Sequence, residues 1–141
     1  MDQLIRLVIV DDHTLMRETW KMVLQRDPRI RVIAECASGE EAIRCAGTDK
    51  PDIMLMDINM SPVNGFEATR KITKAYPAIR IIGLSINNQP AYAKNMLQLG
   101  AKGYVTKNSP SEELLEAIKT VFDGGIYICR EIKDQSPEGR I

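Results

Sequence analysis

Apolar residues in this chain fall into two alternating kinds of run. Leu7-Val8-Ile9-Val10, Ile53-Met54-Leu55-Met56 and Ile79-Arg80-Ile81-Ile82-Gly83-Leu84 are short and nearly continuous, as strands buried on both faces are. The strands they predict cover 5–10, 53–57 and 79–84. Ile30–Ala34 is a further strand, partly alternating as an edge strand would be, and Gly103–Thr106 a short fifth one. Between them, apolar positions recur at helical spacing. Met16, Trp20, Val23 and Leu24 make one face of a helix over about 13–27. Leu114, Ile118, Val121 and Phe122 make the face of a last helix reaching about Asp123.

The punctuation agrees. Ser38-Gly39-Glu40-Glu41 reads as a capping box opening a helix to near Gly47. Asn64-Gly65 opens another, with Phe66, Ala68, Ile72 and Ala75 inward, which Tyr76-Pro77 stops. A fourth helix spans about 89–99, with Gly100 as the residue beyond its end. Ser109-Pro110-Ser111-Glu112 reads as a second capping box with Pro in the first turn, and Gly124-Gly125 ends the last helix. Five strand–helix units with short loops predict an α/β fold, a parallel sheet covered on both faces. Residues 126–141 fall outside the pattern: Ile126, Ile128 and Ile132 have only local packing to offer, and Asp134 to Ile141 is polar. The expected division is a domain over 4–124 and an extension or linker over 125–141.

Candidate chemistry lies where the strands stop. Asp11 and Asp12 end the first, Asp57 the third, Ser85 the fourth, and Lys107 follows the fifth. In a parallel sheet these ends share the edge at which open α/β folds bind ligands. Carboxylates gathered there repel one another, and a hard divalent cation is the usual remedy. His13, the one histidine, follows the acidic pair at a helix start and reads as helix entry.

Composition adds exclusions. The 141 residues suit one domain with a real core, and 44% hydrophobic with 27% charged residues is ordinary for a soluble one. Nineteen basic residues balance nineteen acidic ones, which argues against phosphate-backbone binding by this segment. Cys36, Cys45 and Cys129 lack metal-site spacing and read as free thiols in a reducing compartment. There is no signal-peptide pattern and no membrane-length apolar run; the expected location is the cytoplasm.

The chain resembles the receiver domains of two-component response regulators over about residues 4–124. The resemblance rests on Val10-Asp11-Asp12-His13, on Leu55-Met56-Asp57-Ile58-Asn59-Met60, and on Gly65 eight residues past Asp57. Leu84-Ser85 and Gly100-Ala101-Lys102-Gly103-Tyr104-Val105-Thr106-Lys107 complete it. Asp-Asp-His with Gly-Ala-Lys-Gly-Tyr looks most like the NarL/LuxR subgroup. The resemblance implies a CheY-like, flavodoxin-like doubly wound sheet of five parallel strands in the order 2-1-3-4-5. It implies that Asp57 accepts a phosphoryl group from a sensor histidine kinase. Mg²⁺ would be held by Asp12 and Asp57 directly, by Asp11 through water and by the Asn59 carbonyl. Lys107 would neutralise a phosphoryl oxygen and Ser85 would hydrogen-bond one. Tyr104 would turn from exposed to buried as the Ser85 loop moves in. It also implies homodimerisation on phosphorylation, and transcriptional output through a C-terminal helix-turn-helix domain not contained in these residues.

The chain departs from the family pattern in a few places. Ser61 stands where the family usually has Pro, and Pro62 follows it. Asn108 follows Lys107 where a cis-proline is common, leaving a choice between a trans bond and a costly non-proline cis bond. Ile86 after Ser85 is bulkier than usual. Competing readings fare worse. A dehalogenase-type hydrolase needs a second Asp two residues beyond the first, and position 59 is Asn. A dinucleotide site needs a glycine-rich turn, and 11–16 contains no glycine. A stand-alone or degenerate receiver, acting only as a protein-interaction module, is the remaining alternative.

Overall fold

The computed structural model describes residues 3–135. Among the described residues, six strands and six helices alternate: β1 Ile5–Val10, α1 Thr14–Leu24, β2 Ile30–Cys36, α2 Gly39–Asp49, β3 Ile53–Asp57, α3 Gly65–Ala75, β4 Arg80–Ser85, α4 Pro90–Gln98, β5 Gly103–Thr106, α5 Ser111–Phe122, β6 Tyr127–Ile128 and α6 Arg130–Gln135. The strands form one sheet in the order β2-β1-β3-β4-β5-β6, with every pairing parallel. The α/β class is as the apolar pattern predicts, and the order of the first five strands is as the family resemblance implies. The order reverses at β1 and β3, so the crevice between their carboxyl ends is the natural binding point of the fold.

Strand burial follows the apolar runs. Leu7 to Val10 and Ile53 to Met56 are fully buried, whereas β2, at the sheet edge, is buried only at its ends, Ile30 and Cys36. Trp20 and Leu24 of α1, Ala68 and Ile72 of α3, and Leu114, Ile118 and Val121 of α5 close the two faces. All three cysteines are buried and free. Among the described residues, no helix is long and apolar enough to cross a membrane.

Several local expectations are corrected. The sheet has a sixth strand: β6 pairs with β5, Gly103 against Tyr127 and Tyr104 against Ile128. α6 then packs on α4 and β5, burying Ile132 beside the buried Cys129. Residues 127–135 therefore extend the expected domain rather than forming a linker; 136–141 lie outside the described residues. A two-residue strand and a six-residue helix are too short to show periodicity. Ser109 does not cap α5, whose N-cap position is Pro110; its hydroxyl pairs with Thr106 instead, at 3.1 Å. Ala75 faces solvent. Ser38 does cap α2, its Oγ accepting from the Glu41 amide at 3.1 Å, but Glu41 reaches back one residue further than in a capping box, to the Ala37 amide at 2.6 Å.

Gly65 positions the site directly. It opens α3 against the end of β3, so close that a Cβ there would lie 2.5 Å from both the Asp57 carbonyl oxygen and Ile58 Cα. Backbone cannot yield as a flexible side chain can. Gly65→Ala is expected to lower stability by about 1–3 kcal/mol, measured as the denaturant midpoint; an unchanged midpoint would mean that α3 sits further from β3.

Candidate functional site at the carboxyl edge of the sheet

Asp11, Asp57, Ser85 and Lys107 converge on one rim, brought there by the ends of β1, β3, β4 and β5. Lys107 Nζ lies 2.9 Å from Asp11 Oδ2 and 3.5 Å from Asp57 Oδ2. Both carboxylates are buried, Asp57 to 1% exposure. The position of Lys107 is set by its own backbone, whose amide donates to the Ser85 carbonyl at 2.8 Å. Asp57 Oδ1 accepts from the Asn59 amide at 3.0 Å, while Asp57 Oδ2, also buried, has no hydrogen-bond donor.

Asp12 stands at the mouth, its side chain 39% exposed. His13 Nδ1 lies 3.1 Å from Asp11 Oδ1 and 3.0 Å from Asp12 Oδ1, and the His13 amide also donates to Asp11. Ligand atoms of Asp11, Asp12, His13 and Asp57 all lie within 4.8 Å of one another. Oxygen donors so gathered, with a buried carboxylate oxygen lacking a partner, fit a hard divalent cation.

The electrostatics separate the two buried acids. Burial raises the Asp57 pKa, and the Asp11 and Asp12 charges add to it, outweighing the Asn59 amide and the Lys107 ammonium. Asp11 is buried too, which alone would raise it. The His13 amide and Lys107 more than offset that and hold its carboxyl below the usual range. One ammonium thus balances one of these acids well and the other poorly.

Ser85 Oγ donates to Asn59 Oδ1 at 3.0 Å and accepts from the Asn87 amide at 2.9 Å. Asn59 therefore reaches the site through its side chain as well as its backbone. Tyr104 differs from the expectation of an initially exposed ring: it is 0% exposed, its hydroxyl donating to the Asn87 carbonyl at 3.1 Å. Gly83, opposite it on β4, makes this possible, since a Cβ there would come within 3.2 Å of the ring. Desolvation pushes the Tyr104 phenol up to about 12. The Lys107–Asn108 bond is trans, and the cis bond among the described residues is Ser61–Pro62.

Three contributors escape the sequence pattern. Arg17 Nη1 donates to the Asp11 carbonyl at 2.6 Å and braces the acidic turn from α1. Asn87 links Ser85 to Tyr104 through its backbone, which no side-chain motif encodes. Thr106, which reads as ordinary strand propensity, donates to Glu131 of α6.

Comparison with known proteins agrees with this geometry. The family model "Response regulator receiver domain" matches residues 7–119. Transcriptional regulatory protein DegU of Brevibacillus brevis is 43% identical over 124 residues, covering 88% of this chain and 52% of that protein. Response regulator GacA of Pseudomonas viridiflava is 36% identical over 132 residues, covering 94% and 62%. The chain thus spans a little over half the length of these curated relatives. The crystal structure of a LuxR-family two-component response regulator from Aurantimonas sp. SI85-9A1 superposes with a TM-score of 0.91 at 34% identity, covering 94% of this chain and 95% of that one.

The raised Asp57 pKa has a signed consequence for stability. The folded chain holds that proton more tightly than the unfolded chain, whose value is 3.8. Ionisation of Asp57 therefore costs stability as pH rises through the unfolded value, and the cost stays in place above the folded one. Without metal, Asp57→Asn is expected to be more stable than the native chain at pH 7. The gap should close below the unfolded value. Equal stability at pH 7, from paired denaturant curves, would contradict the assignment of strain to this carboxylate.

Proposed function

Because the chain belongs to the response regulator receiver domain family, we propose that Asp57 is its phosphoacceptor, charged by a sensor histidine kinase. The observation that carries this is the Asp57 Oδ2 atom: buried, without a hydrogen-bond donor, and 3.5 Å from Lys107 Nζ. Oδ2 attacks the phosphorus of a phosphohistidine. A P–O bond forms, the P–N bond breaks, and the imidazole leaves with the electron pair. Phosphoryl transfer asks mainly for alignment and charge neutralisation, and this pocket is built for both.

Asp12 and Asp57 would ligate Mg²⁺ directly, Asp11 through water, and Asn59 through its carbonyl. When bound, the ion neutralises charge on the phosphoryl oxygens. Lys107 pairs with a phosphoryl oxygen from the other side. Ser85 then gives its proton to the phosphoryl group instead of to Asn59. Because Ser85 also holds the Asn87 amide, and Asn87 holds Tyr104, the loop after β4 follows. With Tyr104 already buried, the change lies in the loop and the hydroxyl rather than in a swing of the ring.

The chain assists only its own phosphorylation and dephosphorylation. The name of the DegU relative and the greater length of the curated relatives support an output in transcription; the proposed route is a LuxR-type helix-turn-helix domain beyond these residues, with dimerisation on phosphorylation. The charge balance leaves DNA contact to that domain, and the setting is the cytoplasm, without membrane contact. A degenerate receiver is not favoured, because Asp11, Asp12, Asp57, Ser85 and Lys107 are all present on the rim.

Incubation with acetyl phosphate and Mg²⁺ is expected to add one phosphoryl group by intact mass. The gain should vanish in Asp57→Asn and on chelation of the metal; no gain in the native chain would overturn the reading. Ile86 follows Ser85 in the chain and is 69% exposed, and its proposed role is to shield the aspartyl phosphate from water. Ile86→Ala should shorten the half-life of the aspartyl phosphate severalfold, by a factor on the order of ten for each 1.4 kcal/mol of shielding removed. Equal half-lives would show that Ile86 does not shield it.

A further inference from the structure

The acceptor pocket is bordered by two segments that end on the same carboxylate. Asn88, three residues past Ser85, donates through Nδ2 to Glu131 Oε2 at 3.3 Å. Thr106, the residue before Lys107, donates through Oγ1 to Glu131 Oε1 at 2.5 Å. Glu131 belongs to α6, which packs on α4 and β5. One carboxylate of the C-terminal helix thus touches the neighbour of the proposed phosphoryl-binding lysine and the loop of the proposed phosphoryl-binding serine.

The start of α6 is held differently. Buried Glu113 of α5 accepts from the Arg130 amide at 2.8 Å and from the Tyr127 hydroxyl at 2.8 Å. Neither contact meets the pocket. The helix therefore has a fixed anchor at Arg130 and a second attachment one residue later that reports on the pocket.

We propose that Glu131 is the positioning residue that couples the acceptor pocket to the C-terminal helix, its Asn88 contact being made while Asp57 is unphosphorylated and broken when it is phosphorylated. This rests on the phosphoacceptor reading above. Ser85 has one hydroxyl proton, now given to a neutral amide oxygen of Asn59. A phosphoryl oxygen on Asp57 is charged and is the stronger acceptor. Redirecting that proton moves Ser85, and with it the Asn87 amide that Ser85 holds. Asn88 is next in the chain, and its bond to Glu131 is the longer of the two, at the limit of hydrogen-bonding distance. It is the contact that a small displacement breaks. The half-buried Glu131 carboxylate then loses a donor, which weakens the seating of α6 beyond its fixed anchor at Arg130.

Coupling of this kind is reciprocal, so breaking the contact by mutation must favour the phosphorylated state. The test is the affinity of the protein for beryllofluoride, a phosphoryl mimic, in saturating Mg²⁺. Asn88→Ala and Glu131→Ala are each expected to bind it about fivefold more tightly than the native chain, and the double variant no more tightly than either. Asn88 lies in a partly exposed loop, so its variant keeps the test open should loss of Glu131 unfold the helix. Amide exchange within α6 should rise in the native chain on adding beryllofluoride and stay unchanged in Asn88→Ala. A purely structural contact would lower stability and leave affinity alone, which would overturn the proposal. If the native chain takes up no beryllofluoride, the phosphoacceptor reading itself fails.

Discussion

One ammonium group lies between two buried carboxylates at the carboxyl edge of the sheet: Lys107 Nζ is 2.9 Å from Asp11 and 3.5 Å from Asp57. Much of the site's arrangement follows from that shortage of positive charge. Asp11, held by Lys107 and by the His13 amide, stays ionised easily. Asp57 keeps an oxygen without a donor in a buried setting. Such an atom is costly in a protein that only needs to be folded. On the proposed function it is useful, because a cation and a phosphoryl group would gather at that point. The apolar strands deliver these carboxylates to the rim, and Gly65 lets α3 close against the backbone of Asp57.

The same economy shapes the surroundings of the pocket. Ser85 is held by Asn59 on one side and holds Asn87 on the other, and Asn87 in turn receives the Tyr104 hydroxyl. A new acceptor at Asp57 enters an already satisfied network and must displace a bond. On the proposed function, that requirement would convert a local charge into a movement of the loop. The loop reaches α6 through Asn88, and β5 reaches it through Thr106, so the C-terminal helix is attached to both borders of the site.

The central sheet and the gathering of Asp11, Asp57, Ser85 and Lys107 on one rim are legible because burial writes itself into sequence. The buried stretches Leu7–Val10 and Ile53–Met56 are unbroken apolar runs, and an Asp at the end of such a run is conspicuous. What was not legible has physical reasons. β6 and α6 are too short for any period to show, and Ile128 and Ile132 find their partners through contacts distant in sequence. The role of Asn87 lies in backbone groups that every residue carries. Ser109 has the composition of a cap, but its hydroxyl finds a better-placed partner in Thr106. The burial of Tyr104 depends on the missing side chain of Gly83 on the neighbouring strand, a pairing that only the register reveals.

The central claim is that this rim carries uncompensated negative charge arranged for one divalent cation. Calorimetric titration of the native chain with Mg²⁺, beside Asp12→Asn, measures it most directly. The account predicts one ion per chain for the native protein and loss of most of the affinity in the variant, whose missing charge lies at the exposed mouth and should leave the fold intact. Absence of saturable binding in the native chain, or equal affinity in the two proteins, would contradict it.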